Sequence, residues 1–297
     1  MAHTGVISLE PGKESGPDIL IGEFEWQVIA DPDGITLTIV CTSSKWSSTA
    51  IWNCSAVGTF ALASANEKHK ESVFHLWNAT FDDFGTHSKQ EYSKENFSKA
   101  LAKVGEPCLL RIHIEIVSTF YADLKDSNNA LIENSFDAVL FKVDGENLWI
   151  PKKVLAAHSL YFATLFENSF KEGDDDVHEL ENLDLDNFIQ FIGIVHSVTE
   201  YIGGIVELVE QAVEGLLTLG EQFQCRLVKK RCEESLKDDK NLTPMAKLLL
   251  VDRFQLLSIV ADVLNEFDVE DLKAIGFNSL SSDVVKEMIV QKLRLAA

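Results

Sequence analysis

The apolar residues of this chain recur mainly with a period of two in its first half and between three and four in its second, and that change bounds what it can fold into. Phe24, Trp26 and Val28 alternate with Glu25 and Gln27, Asp31-Pro32-Asp33-Gly34 supplies a turn, and Ile35, Leu37, Ile39 and Cys41 alternate with Thr36, Thr38 and Val40. Successive side chains of a strand point to opposite faces, so this pattern predicts a hairpin with one buried face. Shorter alternating runs follow at Trp52 to Leu62, Ser72 to Phe81 and Cys108 to Val117, and Ser93 to Val104 is the one helical candidate among them. Several short strands at such spacing indicate an antiparallel β-sandwich, placed over residues 21–120. Residues 1–20 hold Pro11, Gly12, Gly16 and Pro17 without a period, which suggests a loose arm or an edge segment.

The pattern fades after Ser118 into the polar cluster Asp123 to Asn129, read as an inter-domain linker over 121–134. Beyond it Ala138 to Val143 reads as a strand, Asp144-Gly145 as its turn and Leu148 to Ile150 as its return, with Pro151 at the favoured first position of a helix. Helical spacing then governs Phe188 to Val195, Val209 to Leu219, Leu227 to Leu236, Leu248 to Leu264 and Val284 to Leu293. Strands first and helices later make the fold class α+β, with a second domain beginning beyond the linker. The apolar stretch Phe188 to Val209 is interrupted by Gln190, His196, Glu200 and Glu207 and broken at Gly203-Gly204, so it reads as core helix plus turn, not as a membrane span.

Composition narrows the function. A formal net charge of −21 repels phosphate backbones and anionic lipid headgroups, which argues against nucleic-acid and membrane partners. The five cysteines are scattered without metal-ligand spacing, which fits a reducing compartment, and Met1 to Gly12 lacks the features of a signal peptide; both point to an intracellular protein, cytoplasmic or nuclear. Cys225 and Cys232, seven apart on an expected helix, read as small core residues on one face. The acidic run Glu172 to Asp176 lacks calcium-loop spacing, His113-x-Glu115 lacks further ligands, and no phosphate loop or nucleophile elbow is present. No catalytic residue, cofactor or metal is therefore expected.

The order Phe136-Asp137-Ala138-Val139-Leu140, then Val154-Leu155-Ala156-Ala157-His158-Ser159-Leu160-Tyr161-Phe162, then Leu165-Phe166, resembles a BTB/POZ domain. Val213 to Leu217, Gln222-Phe223 and Cys232 to Leu236 fit the helical bundle of that family in its nematode form, so the resemblance implies a BTB/POZ domain over 135–236 followed by a helical extension over 237–297. Leu160 stands where the family usually has proline, and Ile150-Pro151 where it usually has a pair ending in histidine. The first half is similar to a MATH domain, the TRAF-like sandwich, through Trp26, Trp77, Phe81, Phe84 and the closing strand Leu109 to Ile116. Aromatics at these spacings are core residues more often than groove residues.

The resemblance implies a homodimerising adaptor and not an enzyme. In the family, a basic residue at the place of His158 sits near the residue at the place of Asp137 at the base of the dimer interface; alternatively Asp137 pairs inside its own subunit. Adaptors that bind cullin-3 carry a hydrophobic-x-acidic motif after the Tyr-Phe helix, where this sequence has Phe170-Lys171-Glu172; alternatively Phe170 folds into its own core. The expected partners are cullin-3, a second copy of the chain and protein substrates held by the sandwich. The rival expectation is a BTB homodimeric scaffold that assembles a structural or transcriptional complex without a ligase.

Overall fold

The computed structural model describes residues 3–10, 12–32, 35–45, 47–66, 70–169, 177–198, 209–239, 242–277 and 280–295. The chain divides into two compact units, one built mainly from residues before 137 and the other mainly from those after it.

The first unit contains two four-stranded sheets, each antiparallel. One runs β1 (His3–Leu9), β8 (Cys108–Asp123), β5 (Ala50–Ser64) and β6 (Glu71–Asp82); the other runs β2 (Ile19–Ile21), β3 (Phe24–Ala30), β4 (Thr36–Ser43) and β7 (His87–Glu91). The alternation sets the register: Trp26 lies opposite Cys41 and Val28 opposite Ile39, and all four are fully buried. Trp26 meets Phe81 of the other sheet edge to face at 5.3 Å, an arrangement aromatic quadrupoles favour. At Gly58 the sheet closes too tightly for a side chain, since a β-carbon would lie 1.9 Å from the His113 carbonyl oxygen and 2.6 Å from the Trp77 ring. Helix α1 (Lys94–Val104) begins at Ser93, whose hydroxyl accepts from the Asn96 N–H, and ends at Gly105 with φ 79°.

After Phe136 the chain forms the hairpin β9 (Ala138–Val143) and β10 (Glu146–Pro151), turned by Asp144 (φ 47°) and Gly145 (φ 79°). Two positive φ values in sequence are the requirement of a two-residue hairpin turn, which the Asp-Gly pair meets. The helices are α2 (Lys152–His158), α3 (Leu160–Ser169), α4 (Leu185–Val195), α5 (Val209–Gln222) and α6 (Arg226–Asp238), and between α3 and α4 a short strand, β11 (Val177–Leu180), joins β9 in parallel. Four further helices follow, α7 (Pro244–Arg253), α8 (Val260–Asn265), α9 (Val269–Ala274) and α10 (Asp283–Leu295). Lys229 Nζ donates to the Phe254 carbonyl at 2.7 Å and Lys237 pairs with Asp262 at 2.9 Å, so these helices pack on the preceding bundle as the sequence suggests. Asp252 anchors the start of α10: its carboxylate accepts from Ser281 N–H (2.6 Å), Ser281 Oγ (2.9 Å) and Ser282 N–H (2.7 Å). Burial works to raise its pKa, but these donors outweigh burial and hold it below the ordinary carboxylate value.

Several expectations are corrected. The first twenty residues supply β1 and part of β2, so of the two readings the edge segment holds; β1 pairs residue for residue with β8, from His3 opposite Ile116 to Leu9 opposite Leu110. Strand β8 continues to Asp123, into the start of the segment expected as a linker, because Ala50 to Ser55 of the long strand β5 pair with Ser118 to Asp123. The pattern from Leu248 to Leu264 is two helices, separated where Gln255 takes φ 52°; Phe254 is buried, whereas Leu257 is exposed. Pro151 precedes the first turn of α2, one residue earlier than expected. Cys225 stands just before α6 rather than within it, though Cys225 and Cys232 are both buried as foreseen.

At the turn after β6, fully buried Asp82 accepts from the N–H groups of Phe84 (2.9 Å) and Gly85 (2.7 Å). Beside it, burial pushes the Asp83 carboxyl up to about 7; the Trp52 indole N–H donates to it and opposes that shift, and the Asp82 charge adds to it. The folded state therefore holds this proton more tightly than the unfolded chain, whose value is 3.8, and the contribution of this group to stability falls as pH rises from about 4 to about 7. Asp83→Asn is expected to melt above the native chain at pH 8, with the difference vanishing towards pH 4, in thermal denaturation followed by circular dichroism.

Candidate partner-binding surface

The corner between α2 and α3 is where the second unit turns apolar side chains both inward and outward. Ser159 sits at this corner, 2% exposed, with its hydroxyl donating to the Phe223 carbonyl at 2.5 Å and accepting the Phe162 N–H at 3.2 Å. It thereby starts α3 and fastens it to the residue that follows α5. A backbone bridge from Ser159 to Cys225 reinforces the joint. Beneath it the rings of Phe162 and Phe223 lie 4.7 Å apart, and Phe141, Phe188 and Phe191 surround them. With Ser159 and Phe162 fixed inward, helical geometry turns the residues between them outward. Leu160 is 64% exposed, while Tyr161 is 38% exposed and rests its ring 5.3 Å from Phe223. Proline at position 160 would leave a smaller apolar surface than leucine does.

His158, the last residue of α2, is exposed beside this pair. Its neighbour His196, at the C-terminus of α4, is pushed down to about 4 by burial and by the nearness of His158, and among the described residues its buried Nε2 has no hydrogen-bond partner. His196 is therefore neutral at physiological pH. Asp137 lies at the other end of α2, where its Oδ1 accepts the Lys153 N–H at 3.0 Å. Its charge also favours the positive end of that helix. Asp137 and His158 are thus at opposite ends of one helix, and among the described residues no ion pair joins them. Phe170 and Glu172 lie outside the described residues.

Of the sandwich aromatics singled out from the sequence, Trp26, Trp77 and Phe81 are buried and Phe84 is half-buried, in keeping with core roles for the first three. Among the described residues no three His, Cys, Asp or Glu side chains converge as a metal site would require, and no helix is long and apolar enough to cross a membrane.

Residues 128–240 match the BTB/POZ domain family. Over 95% of its length the chain is 24% identical to BTB and MATH domain-containing protein 38 of Caenorhabditis elegans, covering 74% of that protein. Over 90% of its length it is 25% identical to BTB and MATH domain-containing protein 15 of the same organism, covering 89% of that one. Residues 128–240 thus form a BTB/POZ domain, and the chain over nearly its whole length is similar to proteins named for BTB and MATH domains. Its fold is of the protein-interaction class.

The Ser159 joint has a measurable cost of removal. Ser159→Ala deletes one donor and one acceptor and leaves the Phe223 carbonyl buried without that partner, so unfolding in urea is expected to show a loss of about 1–3 kcal/mol.

Proposed function

We propose that this chain is the substrate receptor of a cullin-3 ubiquitin ligase: the second unit dimerises and recruits cullin-3, and the first unit holds the protein to be modified. The observation that carries this reading is the order of the two units. A sandwich here precedes the BTB domain, and the two relatives, which align with nearly the whole chain, are named for BTB and MATH domains. The outward pair Leu160 and Tyr161, with His158 beside it, supplies the kind of aromatic and aliphatic surface that carries protein contacts. Asp137 and His158 border the dimer surface from the two ends of α2. Phe170 offers a ring to a cullin-3 pocket, with Glu172 fixing its orientation. The chemistry belongs to the recruited enzymes. Dimerisation presents two substrate sites to one ligase, so modest affinities add without new contacts.

Two measurements test the reading. In sedimentation equilibrium the chain runs as a dimer, and Leu160→Asp, a change at an exposed position, shifts it towards monomer without lowering its melting temperature. Tagged chain co-purifies cullin-3, and Phe170→Ala and Glu172→Lys each abolish that. A monomeric native chain removes the dimer. Native levels of cullin-3 in both of these variants remove the assigned motif, and a dimer that never retains cullin-3 favours the scaffold.

A further inference from the structure

One end of the sandwich is open. There the turn after β1 (Leu9, Glu10, Lys13), the β3–β4 hairpin next to its turn (Ala30, Asp31, Leu37), one side of α1 (Phe97, Leu101) and the entry to β8 (Glu106, Cys108, Leu110) surround a cavity of about 730 Å³. Such a volume takes two or three side chains or one compact ligand. Leu9, Leu37 and Leu62 form a buried apolar floor. Among the described residues, nine half-buried hydrophobic residues pack against the sandwich core, and six of them, Ala30, Tyr92, Phe97, Leu101, Cys108 and Leu110, line this one cavity. The core is therefore left unfinished at this end in particular, and not evenly around its edge.

The mouth is held by backbone hydrogen bonds from several directions: Lys13 N–H to Glu10 O (3.1 Å), Ala30 N–H to Glu14 O (2.7 Å), Asp31 N–H to Thr36 O (3.0 Å), Tyr92 N–H to Ile35 O (2.9 Å) and Ala65 N–H to Pro107 O (3.0 Å). A site framed in this way does not have to be ordered when a ligand arrives. The charges at the rim are Glu10, Asp31 and Glu106 against Lys13, so the entrance is net acidic. Asp31 also accepts from Thr38 Oγ1 at 3.0 Å, which fixes its carboxylate there.

We propose that this end cavity is a recognition site for an extended segment of a partner protein in which a bulky apolar side chain is flanked by lysine or arginine. The apolar side chain fills the cavity between Phe97, Leu101 and Leu110, and the flanking cations meet Glu10, Asp31 and Glu106. Hydrophobic filling supplies affinity, and the rim carboxylates select a basic neighbour over an acidic one. The proposal rests on the reading that the first unit holds a protein substrate, and it names the substrate's chemical character.

The test uses the full chain and fluorescein-labelled synthetic peptides carrying one tryptophan between lysines, with matched peptides in which glutamate replaces the lysines or serine replaces the tryptophan. Fluorescence polarisation is expected to show binding of the first peptide, weaker by roughly tenfold or more for either control, as for the loss of one anchoring contact. Leu101→Glu abolishes binding of the first peptide. Should that variant fail to fold, the exposed pair Glu10→Lys with Glu106→Lys keeps the test open, since it reverses the preference to the glutamate peptide at an unchanged melting temperature. Equal binding of all three peptides, or a lysine preference that survives the charge reversal, overturns the proposal. Loss of the peptide preference with cullin-3 still co-purifying overturns this site alone, and the converse result overturns the ligase reading alone.

Discussion

The hydroxyl of Ser159 is the point on which the second unit turns. It is both donor and acceptor, to Phe223 O and from Phe162 N–H, and this double use fixes the end of α2, the start of α3 and the end of α5 in one place. The phenylalanine cluster below can then close, since Phe162 and Phe223 face each other only if both backbones are held. The same constraint decides what faces solvent. With 159 and 162 committed to the interior, Leu160 and Tyr161 have no inward direction left, and an apolar surface is obtained as the counterpart of a finished core.

The two units handle their apolar surplus differently. In the second unit the bundle is capped by α7 to α10, with Leu248, Val251, Val260 and Leu264 buried and Asp252 fastening the start of α10. In the first, the two sheets close firmly along Trp26, Phe60 and Phe81 but leave their half-buried residues gathered at one end. Exposed apolar area that is gathered, rather than scattered, is the kind that marks recognition. A strongly acidic chain whose apolar cavity has an acidic rim is poorly suited to acidic partners, and its net charge speeds encounter with basic ones.

Much of the fold could be read from the sequence because the elements that make the core are strongly periodic. The β3–β4 hairpin, the β9–β10 hairpin with its Asp-Gly turn, α1 with its Ser93 cap, and helices α4, α5, α6 and α10 all carry their pattern locally. What escaped was the periphery. Strand β7 reads His-Ser-Lys-Gln-Glu with no buried residue, since it lies at a sheet edge and owes its conformation to β4. Strand β11 is four residues whose partner, β9, lies more than thirty positions earlier, a pairing no local pattern can announce. The end cavity is assembled from five separate stretches, so no spacing in the sequence marks it. The pairing of Asp137 with His158 came from resemblance alone; within one subunit the first caps α2 and the second ends it.

Strand β1 joins its sheet only by lying against β8, and β8 also forms the longest ladder of the sandwich with β5. The residues of β1 must therefore wait unpaired for more than a hundred residues of synthesis before their partner exists. Contacts of such long sequence separation slow folding and prolong the exposure of strand edges. The sandwich thus reaches its final state only when the neighbouring unit is already being made, and its completion in the cell is timed by translation as much as by its own stability.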